Sequence, residues 1–362
     1  MDNKKYIPLL RFNGFHKDWT VKKLGEVIET KPFKPYLASP QIEGKYEIIQ
    51  QGDNPIYGYS NGTPFSDFNN VILFGDHTLS LYKPIAPFFV ATDGIRIISG
   101  QTKIDSFYLF YLLEKYKPIS EGYKRYYSIL VDSNCSLPTL PEQELIGNYF
   151  KHLDELINSK EKKIAKLKSI KAACLDKMFP KEGEAVPQLR FKGFNEDWVV
   201  KKLGEVIEVN SGRDYKHLSE GSIPVYGTGG YMLSVNDALS YKENAIGIGR
   251  KGTIDKPYIL YAPFWTVDTL FYTIPKNGYN LNFIFDIFQN IDWKKKDEST
   301  GVPSLSKNAI IQIDISLPTL PEQELIGNYF KHLDELIEKS ERQLEKLKSI
   351  KQGCLDKMFI ND

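Results

Sequence analysis

LPTLPEQELIGNYFKHLDELI at Leu137–Ile157 occurs again, letter for letter, at Leu317–Ile337. Downstream, KLKSIK (Lys166–Lys171, Lys346–Lys351) and CLDKMF (Cys174–Phe179, Cys354–Phe359) recur at the same offset of 180, Leu137 against Leu317. Upstream, LRFNGFHKDWTVKKLGEVIE (Leu10–Glu29) matches LRFKGFNEDWVVKKLGEVIE (Leu189–Glu208). Solenoid repeats have periods of roughly 20–50 residues, so this period marks duplication of a whole domain with an appended segment. Between the matching ends the halves diverge. Only faint echoes survive: Ala86-Pro87-Phe88 against Ala262-Pro263-Phe264, Tyr57-Gly58 against Tyr226-Gly227, and Phe107–Tyr116 against Asn282–Ile291. One frame around two unlike centres implies one fold with two different surfaces.

The appended segments read as long helices. Pro141 suits a first turn, and Glu142 and Glu144 suit the positive end of the helix dipole. Apolar residues follow at Ile146, Phe150, Leu153, Ile157, Ile164, Leu167, Cys174 and Met178, and at Ile326, Phe330, Leu333, Ile337, Leu344, Leu347, Cys354 and Met358. Steps of three and four make a heptad seam, interrupted by Lys160 and Ser340. Roughly 37 residues give about 55 Å of helix, and the cheapest partner for so long a seam is the other copy, packed antiparallel. In the centres, VILFG (Val71–Gly75), FFVAT (Phe88–Thr92), GIRII (Gly94–Ile98), YILYA (Tyr258–Ala262) and LFYTI (Leu270–Ile274) read as short strands. Short helices are expected near Ser106–Tyr116 and Asn282–Ile291, and a polar linker at Lys181–Val186.

Composition bounds the rest. The 362 residues are 41% hydrophobic and 13% aromatic, which excludes a mostly disordered chain. No apolar run approaches the ~20 residues of a membrane span, and the N-terminus lacks a signal-peptide core. Three cysteines suit a reducing cytoplasm rather than a disulfide framework. A net charge of +1, from 47 basic and 46 acidic residues, leaves nucleic-acid binding to local clusters. Such clusters, interleaved with aromatics, are Gly122–Tyr127, Gly212–Lys216 and Trp293–Lys296. The GxGxxG letters of Gly247–Gly252 are followed by a turn with Pro257 rather than by a helix. They therefore suit a glycine turn presenting Arg250 and Lys251 to phosphates better than a dinucleotide site. The corresponding slot in the first half is Gly75-Asp76-His77-Thr78. Asn54-Pro55-Ile56-Tyr57 matches an Asn-Pro-Pro-Tyr methyltransferase motif only in part and reads as a turn. No phosphate-binding lysine loop, metal-ligand spacing or Ser/His/Asp constellation is present.

The doubled Pro-Glu-Gln-Glu helix openers, the paired FNGFHKDWTVKKLGEVIE and FKGFNEDWVVKKLGEVIE segments, VILFGDHT, the run AIGIGRKGTIDKPYILYAPFWTVDTLFYT and GVPSLSK together resemble the specificity (HsdS) subunits of type I restriction-modification systems. The resemblance covers nearly the whole chain. It implies an α+β architecture: two similar mixed α/β target recognition domains in tandem, separated by two long helices packed as an antiparallel coiled coil, with pseudo-twofold symmetry. The expected bounds are 1–140 and 181–320 for the domains (the second with its linker), and 141–180 and 321–362 for the helices. No further N-terminal module is expected.

The resemblance further implies that each domain reads half of a bipartite site in double-stranded DNA. Two methyltransferase subunits would dock on the repeated regions, and restriction subunits would join them in the cytoplasm, away from any membrane. S-adenosylmethionine, ATP and Mg would be bound by those partners, with no cofactor, metal or catalytic group in this chain. The candidate DNA contacts are Tyr59, Asn61, Asp76, His77, Thr78, Lys124 and Arg125 in the first half. In the second they are Arg213, Tyr226, Thr228, Arg250, Lys251, Thr253, Ser304 and Lys307. The candidate seam and partner-binding residues are Ile146, Phe150, Leu153, Ile157, Leu167, Ile326, Phe330, Leu333, Ile337 and Leu347. Two rival readings are a stand-alone DNA methyltransferase-type enzyme, which the missing cofactor motifs disfavour, and a scaffold that binds no DNA.

Overall fold

Residues 6–101, 103–181 and 183–360 are described in the computed structural model; Glu182 of the expected linker lies outside them. The chain divides into two units, one comprising the chain up to Glu161 with Arg342 onward, the other Lys162–Glu341. These bounds differ from the four expected segments. Each unit takes in half of both long helices, because its core is completed by their apolar faces.

In the first unit the strands are β1 (Thr20–Lys23), β2 (Ile28–Lys31), β3 (Tyr46–Ile49), β4 (Ile56–Ser60), β5 (Val71–Gly75), β6 (Leu81–Tyr82), β7 (Phe88–Val90), β8 (Ile95–Gly100) and β9 (Asn134–Leu137). They form sheets ordered β1-β9, β2-β8-β5-β6 and β4-β3-β7. Helices α1 (Ser106–Tyr116) and α2 (Tyr127–Asp132) precede α3 (Leu140–Lys177).

The second unit has β10 (Val199–Lys202), α4 (Leu203–Val206), β11 (Ile207–Ser211), β12 (Glu220–Gly227), β13 (Gly230–Val235), β14 (Ala245–Gly249), β15 (Tyr258–Leu260), β16 (Trp265–Thr266), β17 (Leu270–Pro275), α5 (Leu281–Asn290), α6 (Lys307–Ile311), β18 (Asp314–Leu317) and α7 (Leu320–Met358). Its sheets are β10-β18, β11-β17-β14-β15 and β13-β12-β16. Matching β1–β9 in turn with β10–β18 gives one permutation, with β3–β7 and β12–β16 both parallel. The diverged centres thus share a topology, as expected.

Why the helix openers repeat is now visible. Glu142 is fully buried and accepts two hydrogen bonds from Arg11, from Nε at 2.7 Å and Nη2 at 2.8 Å. Arg190 and Glu322 repeat this pair at 2.7 and 2.8 Å. Gln143 Oε1 accepts from the N–H of Asp105, whose carboxylate caps α1, and Gln143 Nε2 donates to the Pro138 carbonyl. Gln323, Asn280, α5 and Pro318 repeat that arrangement. A Cβ at Gly147 would lie 2.5 Å from Asp105 Oδ1 and 2.6 Å from Tyr108 N, so glycine is required where α3 crosses the start of α1. These residues bind each long helix to its own domain. Sequence reasoning gave Glu142 to the helix dipole; its partner is a guanidinium 131 residues away.

The long helices run antiparallel within each unit. In the first, Tyr149 contacts Cys354, Lys351 bonds Asp154, and Lys160 donates to Gln343, so numbers rise along α3 as they fall along α7. In the second, Cys174 meets Tyr329 and Lys171 bonds Asp334. Ile146, Phe150 and Leu153 are buried with Tyr108, Leu112, Leu355 and Phe359, while Leu347 packs half-buried at the margin. Ile326, Phe330 and Leu333 are buried with Phe283, Ile287 and Phe179, with Leu167 at the margin. Ile157 and Ile337 are also buried. The candidate seam residues are therefore spent inside the chain, which corrects their assignment to a partner-binding surface.

Counted from the caps Asp105 and Asn280, Tyr111 corresponds to Asp286. Tyr111 donates to Asp154 at 2.7 Å beside Lys351. Asp286 is buried, with one carboxylate oxygen unpartnered. Burial pushes its carboxyl well above the ordinary carboxylate range; Lys171 opposes this, and Asp334 adds to it to a lesser extent. The folded state then holds a proton that the unfolded chain releases near pH 4, so stability falls as pH rises from there through the folded value. Asp286→Asn is expected to remove this slope. Relative to wild type, its melting temperature should rise more at pH 8 than at pH 4.5; equal shifts at both pH values would contradict the assignment.

Candidate nucleic-acid interface

Loops at one end of each unit's sheets converge on a rim. The rim is built around the residue that follows β5 or β14. In the first unit that residue is Asp76: its N–H donates to the Gly94 carbonyl, and its own carbonyl accepts from Tyr126 N–H. In the second it is Arg250: its N–H donates to the Thr269 carbonyl, and its carbonyl accepts from Leu305 N–H. The backbone slot is the same and the side chains have opposite charge.

The second rim is basic. Arg250, Lys251, Ser304 and Lys307 line one cleft of about 380 Å³ with Ser211 and Glu298. The Arg250 guanidinium lies 5.7 Å from the Phe271 ring centre, and a cation–π contact of this kind orients it. Thr228, in the β12–β13 turn, approaches Gly252, whose φ of +91° suits glycine. Gly249 ends β14 against the Thr253 carbonyl, which a Cβ would meet at 2.0 Å. No helix starts there, so the GxGxxG letters are the end of a strand and a tight loop. Tyr226 sits half-buried between Tyr231 and Tyr258. Arg213 donates its N–H to Thr266, leading into a neighbouring cleft of about 460 Å³ with Asp214, Lys216 and Asp268.

The first rim is more nearly neutral. Lys124 pairs with Glu121 at 2.5 Å, Arg125 with Asp93 at 3.5 Å, and Thr78 bonds Ser80. Exposed pairs of this kind are weak, so both cations remain available to phosphate. Three expectations need correction here. Asp76 is only 1% exposed: it accepts from Arg96 at 2.8 Å and from Tyr127 N–H at 2.8 Å, so its carboxylate holds the fold together. Tyr59 and Asn61 lie away from the rim, because Asn61 accepts from Lys45 N–H at the opposite end of the β3–β4 hairpin from Gln51. Of the basic-aromatic runs, Trp293 and Tyr126 are buried anchors, and Lys294 pairs with Asp255. Sequence reasoning missed Gln51 and Glu298, which no motif marks and which only the loop convergence brings in.

The profile described as "Type I restriction modification DNA specificity domain" matches residues 16–169 and 195–349. The chain belongs to that family. Among its relatives are two proteins of Methanocaldococcus jannaschii, the type I restriction enzyme MjaVIII specificity subunit and the putative MjaX specificity subunit. Each is 24% identical, over 396 and 399 aligned positions, covering 94% of this chain and 92% of the relative. The crystal structure of a type I restriction-modification S subunit from M. genitalium aligns with a TM-score of 0.73 at 19% identity, covering 98% of this chain and 100% of that one. Both matched stretches of the type I specificity family include a rim and the first part of a long helix, so the two rims occupy corresponding places in two copies of the specificity domain. Among the described residues no helix is long and apolar enough to cross a membrane.

Proposed function

We propose that this specificity subunit reads a bipartite duplex site, each unit's rim contacting one half, and that it docks two methyltransferase subunits and the restriction subunits through its repeated frame. The observation that carries the proposal is the shared backbone slot holding inward Asp76 in one unit and outward Arg250 in the other. A duplicated frame suits two copies of one partner. Unlike rims suit two unlike half-sites. In this proposal the chain makes no bonds itself: S-adenosylmethionine, ATP and Mg act in the partners, and the complex works in the cytoplasm.

Lys and Arg at the rims supply phosphate contacts, and each contact neutralised on duplex DNA adds about 0.9 to the slope of log affinity against log salt. Fluorescence anisotropy of the full chain with its methyltransferase partners on duplex DNA is expected to show saturable binding that weakens steeply between 50 and 200 mM salt. Binding independent of salt, or no binding of duplex at all, would sink the proposal.

A further inference from the structure

The first rim holds one ring in a fixed plane and a fixed tautomer. His77 Nδ1 lies 3.1 Å from the Lys124 carbonyl oxygen. A carbonyl oxygen can only accept, so Nδ1 carries the hydrogen, and in the neutral ring the lone pair sits on Nε2. Among the described residues no protein group bonds Nε2. Tyr123 is 87% exposed, yet it stacks flat on His77 with ring centres 4.6 Å apart and planes 5° from parallel. The main chain is held as well. His77 N–H donates to Gln51 Oε1 at 3.1 Å. Gln51 fits because Gly75 and Gly94 leave it room: a Cβ at either would come within 2.8 and 2.5 Å of its side chain. Two residues on, Leu79 takes a φ of +58°, a conformation unusual for leucine that the surrounding loop must enforce.

We infer that His77 is a base-reading residue that accepts a hydrogen bond through Nε2 from an exocyclic amino group, adenine N6 or cytosine N4, in the major groove of the first unit's half-site. The inference rests on the DNA-reading function proposed above. In the major groove only those two amines donate, whereas guanine N7 and O6 and thymine O4 accept. A lone pair aimed into the groove therefore selects adenine or cytosine at one position. The stacked Tyr123 and the carbonyl on Nδ1 set the ring's orientation before DNA arrives, so little side-chain freedom is lost on binding. The second rim offers the opposite polarity, since Arg250, Lys251 and Lys307 carry only donors.

The test is selection from a random duplex library by the full chain with its methyltransferase partners. Wild type is expected to show one first-half position restricted to adenine or cytosine. His77→Phe keeps a ring against Tyr123 and removes the acceptor. It should relax that position alone and lower affinity for the selected duplex about two- to tenfold. At that position, purine in place of adenine, or 2-pyrimidinone in place of cytosine, should weaken wild type similarly and leave His77→Phe unchanged. Tyr123→Leu, at a site too exposed to threaten folding, should blur the same position. If His77→Phe and Tyr123→Leu select the wild-type base at every position, the inference is wrong while DNA reading stands. If wild type selects no sequence, DNA reading fails and the inference with it.

Discussion

Arg11→Ala is expected to destabilise the first unit by about 3–5 kcal/mol, because it leaves the Glu142 carboxylate buried without its cation. Glu142 has no exposed side-chain surface, and Arg11 has 11%. Both of its carboxylate oxygens are taken by the one guanidinium. At about 2–4 °C per kcal/mol for a unit of this size, the corresponding melting transition should fall by about 6–20 °C. Arg11→Met with Glu142→Leu should recover much of the loss, since an apolar pair leaves no uncompensated charge. A melt in which Arg11→Ala moves the transition by less than about 2 °C would show that the pair does not anchor α3. Arg190→Ala should act alike on the second unit, through Glu322.

Arg250→Ala with Lys251→Ala is the change expected to cost most in DNA binding. Both side chains are exposed at the cleft shared with Ser304 and Lys307, and among the described residues neither forms an ion pair with an acidic group. If both contact phosphate, the salt slope should shrink by about 2. If Arg250 forks onto a guanine edge, sequence preference at that position should also relax, at about 1–3 kcal/mol. Anisotropy titrations over a salt series distinguish the two contributions. An unchanged slope with unchanged affinity for the selected duplex would remove this rim from the interface. Melting of the double variant should be unchanged, since both side chains are exposed.

Much of this fold is legible in the amino-acid sequence itself. The letter-for-letter repeat marked the two-domain plan, the heptad steps placed Ile146 to Cys174 on one helix, with Met178 just past its end, and VILFG, FFVAT and LFYTI became strands. Helix α1 spans the expected Ser106–Tyr116. Local pattern reaches only local structure, however. Arg11 and Glu142 are far apart in sequence, and no periodicity links them. Asp76 stands beside His77 in a polar loop and looks exposed; it turns inward because Arg96, on the neighbouring strand β8, and the Tyr127 N–H face it. Tyr59 and Asn61 were candidate contacts, but they sit at the end of the β3–β4 hairpin away from Gln51, a placement that only the strand pairing reveals. The orientation of His77 depends on Tyr123 and Lys124, brought to it from the loop between α1 and α2.

If two unlike centres on one duplicated frame read two halves of a site independently, replacing residues 209–313 with the corresponding centre of another family member, which keeps Arg190, Glu322 and the β10–β18 ribbon, should change one half alone. The sequences bound by wild-type and exchanged complexes would then be determined. The expected result is a site in which one half and its spacing are unchanged while the other half is new. Alteration of both halves, or of neither, would contradict the claim.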